Sequence, residues 1–377
     1  MRNLLQGYIL INDFFTHPMR IFFFCAVFCV FLGCASFFVA EDFVSLHKFA
    51  FLGLVCPLAY AGFLFTAIPD WTSYLGSLKR HSIAMFVLFA LSFVVMFLGF
   101  EKGYFIMGFF WVYLLVFAAV LIFLDKNDDN FSILAVLTGF CILNFLYVFT
   151  QNEKFLSAQI HLNMLAVVVV SFRVSVVLGK EAFKLEEGMN EAVFAPNFVY
   201  KNLLLTILTV LLLAVLFEVS SKILGFISLG CGFIMMARLH EMHYKVLLKR
   251  HFVVFYYLIS LIGGLGYIWL GVSEILELSQ SSNAIHLIAI CTIFGIIMFI
   301  FNVAGLRHSG QELVFLRLSR LGIFALFVAG VSRSVFAMFF EVFYIILPAI
   351  FLAMTFICWG INFYAIFRDN EFSKDPE

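Results

Sequence analysis

Long apolar runs, separated by short polar breaks, repeat along almost the whole of this 377-residue chain. A helix needs roughly 20 apolar residues to cross the hydrocarbon core of a bilayer. Twelve runs reach that length, at 21–40, 49–69, 82–100, 104–124, 131–150, 158–178, 200–217, 221–237, 252–273, 283–303, 320–338 and 342–366. They are continuous and do not alternate, so they read as helices and not as the two-faced strands of a membrane barrel. The pattern predicts an all-α membrane protein, a single polytopic domain over 1–377 with an N-terminal arm (1–20), twelve transmembrane helices and a tail (367–377). The longest breaks are 179–199 and 304–319, neither long enough to fold alone. "KEAFKLEEGMNEA" at 180–192 is expected to be a short amphipathic surface helix or a solvated linker.

Composition agrees with the pattern. The chain is 64% hydrophobic and 12% charged, against about half and about a quarter in soluble domains. Net charge is zero, so nothing points to nucleic acid. The 53 phenylalanines read as lipid-facing and packing rings. Charge distribution is more informative. Seventeen of the 23 lysines and arginines fall in the N-terminal arm, alternate loops and the tail, five fall on the other side, and Arg173 falls inside a span. The excess of basic residues on cytoplasmic loops places both termini in the cytoplasm and the expected location in a bacterial inner membrane. No cleavable leader is evident in the sequence. All eight cysteines lie in apolar runs without a Cys-x-x-Cys pair, so they read as small buried hydrophobes rather than disulfides or metal thiolates.

The chemistry-bearing residues are histidines. Six of the nine belong to cytoplasmic segments or helix ends; His47, His161 and His286 instead begin helices 2, 6 and 10 at the outer face. They are 114 and 125 residues apart, which suggests three pseudo-repeats of four helices. Neutral imidazole suits haem iron and copper. Three histidines at one depth would converge if their helices line a shared interior; each alone reads more readily as an interfacial residue bonded to water or a carbonyl, a reading that weakens for the three together. Glu218, at the outer end of helix 7, is a weaker metal or proton candidate beside Lys222. Arg173 could reach the interface or neutralise an anionic group such as a haem propionate. "RLHEMHYK" at 238–245 is not a zinc helix, because His240 and His243 are one residue too close for His-Glu-x-x-His.

"GFLFTAIPDWT" at 62–72 closes helix 2 and resembles the signature of the NnrS family of nitric-oxide-response membrane proteins, usually Gly-Phe-Leu-Leu-Thr-Ala-Val-Pro-Asn-Trp-Thr. "HPMRIFF" (17–23), "SFRVSVV" (171–177) and the late segment from His286 to "HSGQ" (308–311) are similar to other segments of that family, so the resemblance covers roughly 13–366. Thr66, Pro69, Asp70, Trp71, His308 and Gly310 fall on its motif positions, and Arg173 on its arginine. Four departures stand out. Phe49 replaces a second histidine, Gln311 and Val303 replace arginines, and "SFR" lacks the paired glycines.

The resemblance implies a twelve-helix protein that binds haem and copper and limits nitrosative stress. Haem–copper oxidases and nitric oxide reductases also use twelve helices with ligands on helices 2, 6, 7 and 10. Here helix 7 has no histidine and helix 10 no close pair, so a full oxygen-chemistry centre is not supported. The expectation is a haem held by His47 and His286, with His161 at a second metal and a respiratory electron donor as partner. The other readings are a secondary transporter or an assembly factor for a respiratory oxidase or nitric oxide reductase. Pro69–Trp71, about 33 Å of helix from His47, is expected to be a polar stop and interfacial anchor, away from any metal.

Overall fold

The computed structural model describes residues 14–72, 74–126, 130–186 and 194–370. Twelve helices of 19 to 31 residues are long and apolar enough to cross a membrane: α1 Pro18–Val39, α2 Phe43–Trp71, α3 Lys79–Leu98, α4 Phe100–Asp125, α5 Phe131–Thr150, α6 Lys154–Lys184, α7 Phe198–Leu216, α8 Ser221–Met242, α9 His251–Ile275, α10 Ser281–His308, α11 Arg317–Met338 and α12 Glu341–Asp369. Each expected span lies within a few residues of its helix. The helices outrun the apolar cores because polar end residues continue the backbone ladder. Pro69 does not stop α2, which stays helical through Trp71. Lys180–Lys184 are the last turn of α6 rather than a separate surface helix; the part of that stretch at 187–192 lies outside the described residues.

Local chemistry sets the helix ends. Asp42 caps the α2 N-terminus by accepting the Ser45 N–H at 3.1 Å, and Asn197 caps α7 through the Val199 N–H at 2.9 Å. Pro18 begins α1, where its missing N–H costs nothing. The end of a helix that carries most of the lysines and arginines is called below its basic end.

Burial separates the helices by role. In the most apolar stretch of α2, 89% of residues are buried, and in those of α6 and α10, 78% each, against 22% in α7 and 28% in α3. The three most enclosed helices are the ones that carry His47, His161 and His286.

Contacts group the chain into two compact units, one of 1–156, 300–312 and 356–377, the other of 157–299 and 313–355. They do not follow three consecutive four-helix blocks. The core of the first unit is aromatic. Phe23 stacks on Phe301 at 3.7 Å between ring centres, Phe301 meets Trp359 at 5.1 Å, and Trp111 lies parallel to Phe140 at 4.4 Å. In the second unit α8 and α9 pack backbone to backbone. A Cβ on Gly232 would lie 2.7 Å from the Gly264 carbonyl oxygen, and one on Gly225 2.8 Å from that of Gly271. Small residues allow helices this approach where lipid removes the hydrophobic drive to associate.

Candidate functional site

His286 lies in the first two turns of α10, half-buried. Its Nδ1–H donates to the Ser282 carbonyl at 2.7 Å. A carbonyl can only accept, so the neutral ring carries its proton on Nδ1 and its lone pair on Nε2. A metal-ligating histidine is oriented in this way, by a bond from its other nitrogen. His161 is buried on α6, its Nδ1 3.1 Å from the Tyr267 hydroxyl of α9, an arrangement that also serves a ligand when Nδ1 is the donor. His47 is half-buried at the start of α2, its ring edge-on to Phe51 at 4.7 Å. Among the described residues, no three of His, Cys, Asp and Glu converge in a metal-holding group. An axial haem position needs only one imidazole, which His286 and His161 each offer with the ring held through Nδ1.

Glu218 is exposed beyond the end of α7 with φ of 52°. Its N–H bonds the Val215 carbonyl and that of Val219 the Ala214 carbonyl, so its backbone terminates the helix. Arg173 is half-buried on α6, two residues beyond Ser171. A buried arginine network forms on Arg238.

That network was not legible in the sequence. Arg238 and Glu241 pair at 3.2 Å with side chains 10% and 5% exposed. Arg238 also donates to the Ser171 hydroxyl at 2.9 Å and to the Tyr256 hydroxyl at 3.3 Å. Tyr256 donates in turn to the Ser171 carbonyl, and Glu241 accepts the Asn197 N–H at 3.0 Å. A cavity of about 30 Å³ borders the network, reaching Thr292 and Ile296 of α10, room for one or two waters. The i,i+3 charge pair was the available signal. Glu241 points to Arg238, and His243 bonds Tyr257 at 3.0 Å.

The family-motif residues converge at the basic end of the first unit. His308 Nε2 lies 3.8 Å from Asp70 Oδ2, which sets the Asp70 carboxylate beside the end of α10 at a distance too long for a hydrogen bond. Gln311 donates to Asn370 at 3.0 Å, and Arg20, from the "HPMRIFF" segment, donates to the Asn370 carbonyl at 2.9 Å. The Thr66 hydroxyl returns to the Gly62 carbonyl at 2.9 Å, and Trp71 meets Phe63 edge-on at 6.0 Å. Gly310, φ 69°, ends α10: its N–H bonds the Arg307 carbonyl and that of Gln311 the Leu306 carbonyl, the paired bonds of a Schellman cap. Asp70 is 23 residues along α2 from His47, about 35 Å at helical rise.

No curated protein and no solved structure matches the chain. The NnrS protein family model matches residues 13–370, nearly the whole sequence and all three segments that meet around Asp70 and His308. The chain therefore belongs to the NnrS family.

Proposed function

We propose that this protein binds haem, with copper as a candidate second metal, in a bacterial inner membrane, and limits nitric oxide stress by binding nitric oxide or passing electrons at that centre. The observation that carries the reading is the fixed tautomer of His286, whose Nδ1 donates to a backbone carbonyl at 2.7 Å. The enclosure of α2, α6 and α10 and membership of the NnrS family support it. Haem iron would supply a one-electron couple while both histidines hold it, and a coordination position for nitric oxide where one of them leaves the iron. His47 and His286 are the residues that would hold the haem, and the Ser282 carbonyl holds the ring of His286. His161, held against Tyr267, is the proposed ligand of the second metal. Glu218 is the weaker metal candidate and Arg173 the candidate contact for an anionic group. The partners are the lipid bilayer, nitric oxide or nitrosylated iron, and a respiratory electron donor.

The test is an absorption spectrum with metal analysis on protein purified after haem-sufficient expression, before and after nitric oxide. A Soret band that nitric oxide shifts, and that H286A or H47A loses, is the expected result. A colourless protein sinks the reading. Solute flux by the metal-free protein would replace it with transport, and a colourless protein co-purifying with an oxidase would replace it with assembly.

A further inference from the structure

Arg333 is buried in α11, at the end of the helix away from its basic end, and is only 8% exposed. Its guanidinium donates through Nη1 to the Asn283 side-chain oxygen at 3.2 Å and lies over the Tyr344 ring, 4.0 Å from its centre. Both partners are neutral. No carboxylate among the described residues pairs with it, whereas Arg238, equally enclosed, has Glu241. A charge taken out of water costs several kcal/mol unless an opposite charge offsets it. An ionisable group held within a membrane span is therefore first read as part of a functional site.

The neighbour of this cation is His286. All the residues concerned belong to the second compact unit. The first turns of α10 pack against the end of α11, and the contacts between them run antiparallel. Arg333 meets Asn283, a Cβ on Gly330 would fall on the Cys291 sulphur, and the Phe327 carbonyl lies 4.0 Å from that sulphur. In this register His286 is level with the turn of α11 just before Arg333. Asn283 and His286 are three residues apart, on one face of α10 and about 4.5 Å apart along its axis. Arg173 is placed differently. It is 12 residues along α6 from His161, about 18 Å at helical rise, toward the basic end.

We propose that Arg333 binds a carboxylate, oriented by Asn283 and backed by Tyr344, and that this carboxylate is a haem propionate. A guanidinium presents its N–H donors as a planar fork that matches the oxygens of a carboxylate. Asn283 takes one terminal nitrogen and Tyr344 one face, so donors on the remaining nitrogens serve an anion. The propionates are the anionic groups of haem, and Arg333 is a cation within one turn of a residue that would hold the iron. Its charge offsets theirs where water does not. Naming the occupant rests on the haem reading above; the carboxylate site itself does not.

The test measures haem release to excess apomyoglobin from wild-type protein, R333Q, R333K and R173Q. Each is loaded with native haem or with haem dimethyl ester, which keeps the iron and lacks the carboxylates. R333Q is expected to keep the wild-type Soret position, because the histidines still hold the iron, and to release native haem about tenfold faster, the share of one charge-assisted hydrogen bond. R333K, a point charge without the fork, is expected to fall between them. Wild type is expected to release the ester about tenfold faster than haem, and R333Q to release both at one rate. Equal release of native haem from wild type and R333Q overturns the proposal, and a loss in R173Q instead gives the contact to Arg173. An ester penalty as large in R333Q as in wild type also overturns it. Should R333Q fail to fold, the wild type alone decides, since equal retention of ester and haem overturns the proposal without any variant. A colourless wild type overturns the haem reading, and acetate then decides the site. A melting temperature that acetate raises in wild type and not in R333Q keeps the carboxylate site with a free acid as its occupant; no acetate effect overturns the site as well.

Discussion

At the scale of single residues, several motif positions have local physical explanations. Gly310 meets nothing within 4 Å where a Cβ would go, so G310A loses only the backbone freedom that φ of 69° requires. The expected cost is about 1 kcal/mol, read as a lower melting temperature, with G310N nearer wild type because asparagine tolerates this conformation. Glu218 holds the same conformation without being glycine, so E218G relieves about 1–2 kcal/mol of left-handed strain against about 0.4–1 kcal/mol of added unfolded-chain entropy and is expected to raise the melting temperature slightly; loss of bound metal in that variant would make Glu218 a ligand after all. Glu241 is different. E241A strands the Arg238 guanidinium in a buried network, and breaking such a pair costs about 3–5 kcal/mol, measurable by denaturant titration in detergent. Glu186, outside the membrane spans, accepts from Lys249 at 2.6 Å and Arg250 at 3.3 Å. The Lys249 bond holds its carboxyl below the usual carboxylate range. A depressed carboxyl stabilises the fold above its unfolded pKa and loses that contribution as pH falls through the folded one. Acid below the ordinary carboxylate range should therefore speed proteolysis after Leu185, and E186Q should remove the dependence; a wild-type pH profile in E186Q refutes it. Motif matching singled out Gly310 and Asp70 in the sequence. It could not say that one is a helix cap and the other faces His308, because both facts depend on chain direction and on a partner 238 residues away.

At the scale of elements, the first unit is assembled by a lock between α1, α2 and α10. Phe22 and Phe23 press on Gly62, where a Cβ would lie 2.6 Å from Phe23, and Phe23 then stacks on Phe301. G62A is expected to cost about 1–3 kcal/mol through overpacking; a melting temperature equal to wild type would show that Phe23 can move aside. The glycine that opens the family signature is therefore read here as a packing position. All twelve helices were legible as elements, because a bilayer imposes a minimum apolar length that composition records directly. Their ends were less legible. α6 continues past its apolar run to Lys184, and α2 continues through Pro69, since backbone bonding carries a helix beyond the residues that oil requires. Two π-helical stretches, Phe49–Val55 of α2 and Ile288–Ile293 of α10, left no mark at all. Both are ordinary apolar sequence, and their wider winding becomes visible only where Gly33, Gly103, Gly263 and Gly266 stand opposite.

At the scale of the whole chain, twelve spans and a one-sided distribution of lysine and arginine predict that both termini lie on one face of the membrane. Reporter fusions at residue 377 and in the loop after α2 should report the same side, and a fusion in the loop after α1 the opposite one; any other pattern breaks the assigned topology. By itself the sequence determined the membrane environment, the helix count, the NnrS resemblance and the three histidines that stand apart from the basic end. Those properties are sums over composition, length and order, and they survive without coordinates. Only the tertiary structure decided that α2, α6 and α10 are the enclosed helices, that His286 is held by Ser282 and His161 by Tyr267, that Asp70 lies beside His308, and that Arg238 joins a buried network beside the cavity. Each of these depends on which face a helix turns to its neighbours, and in helices that are apolar all round, hydrophobic periodicity does not mark that face.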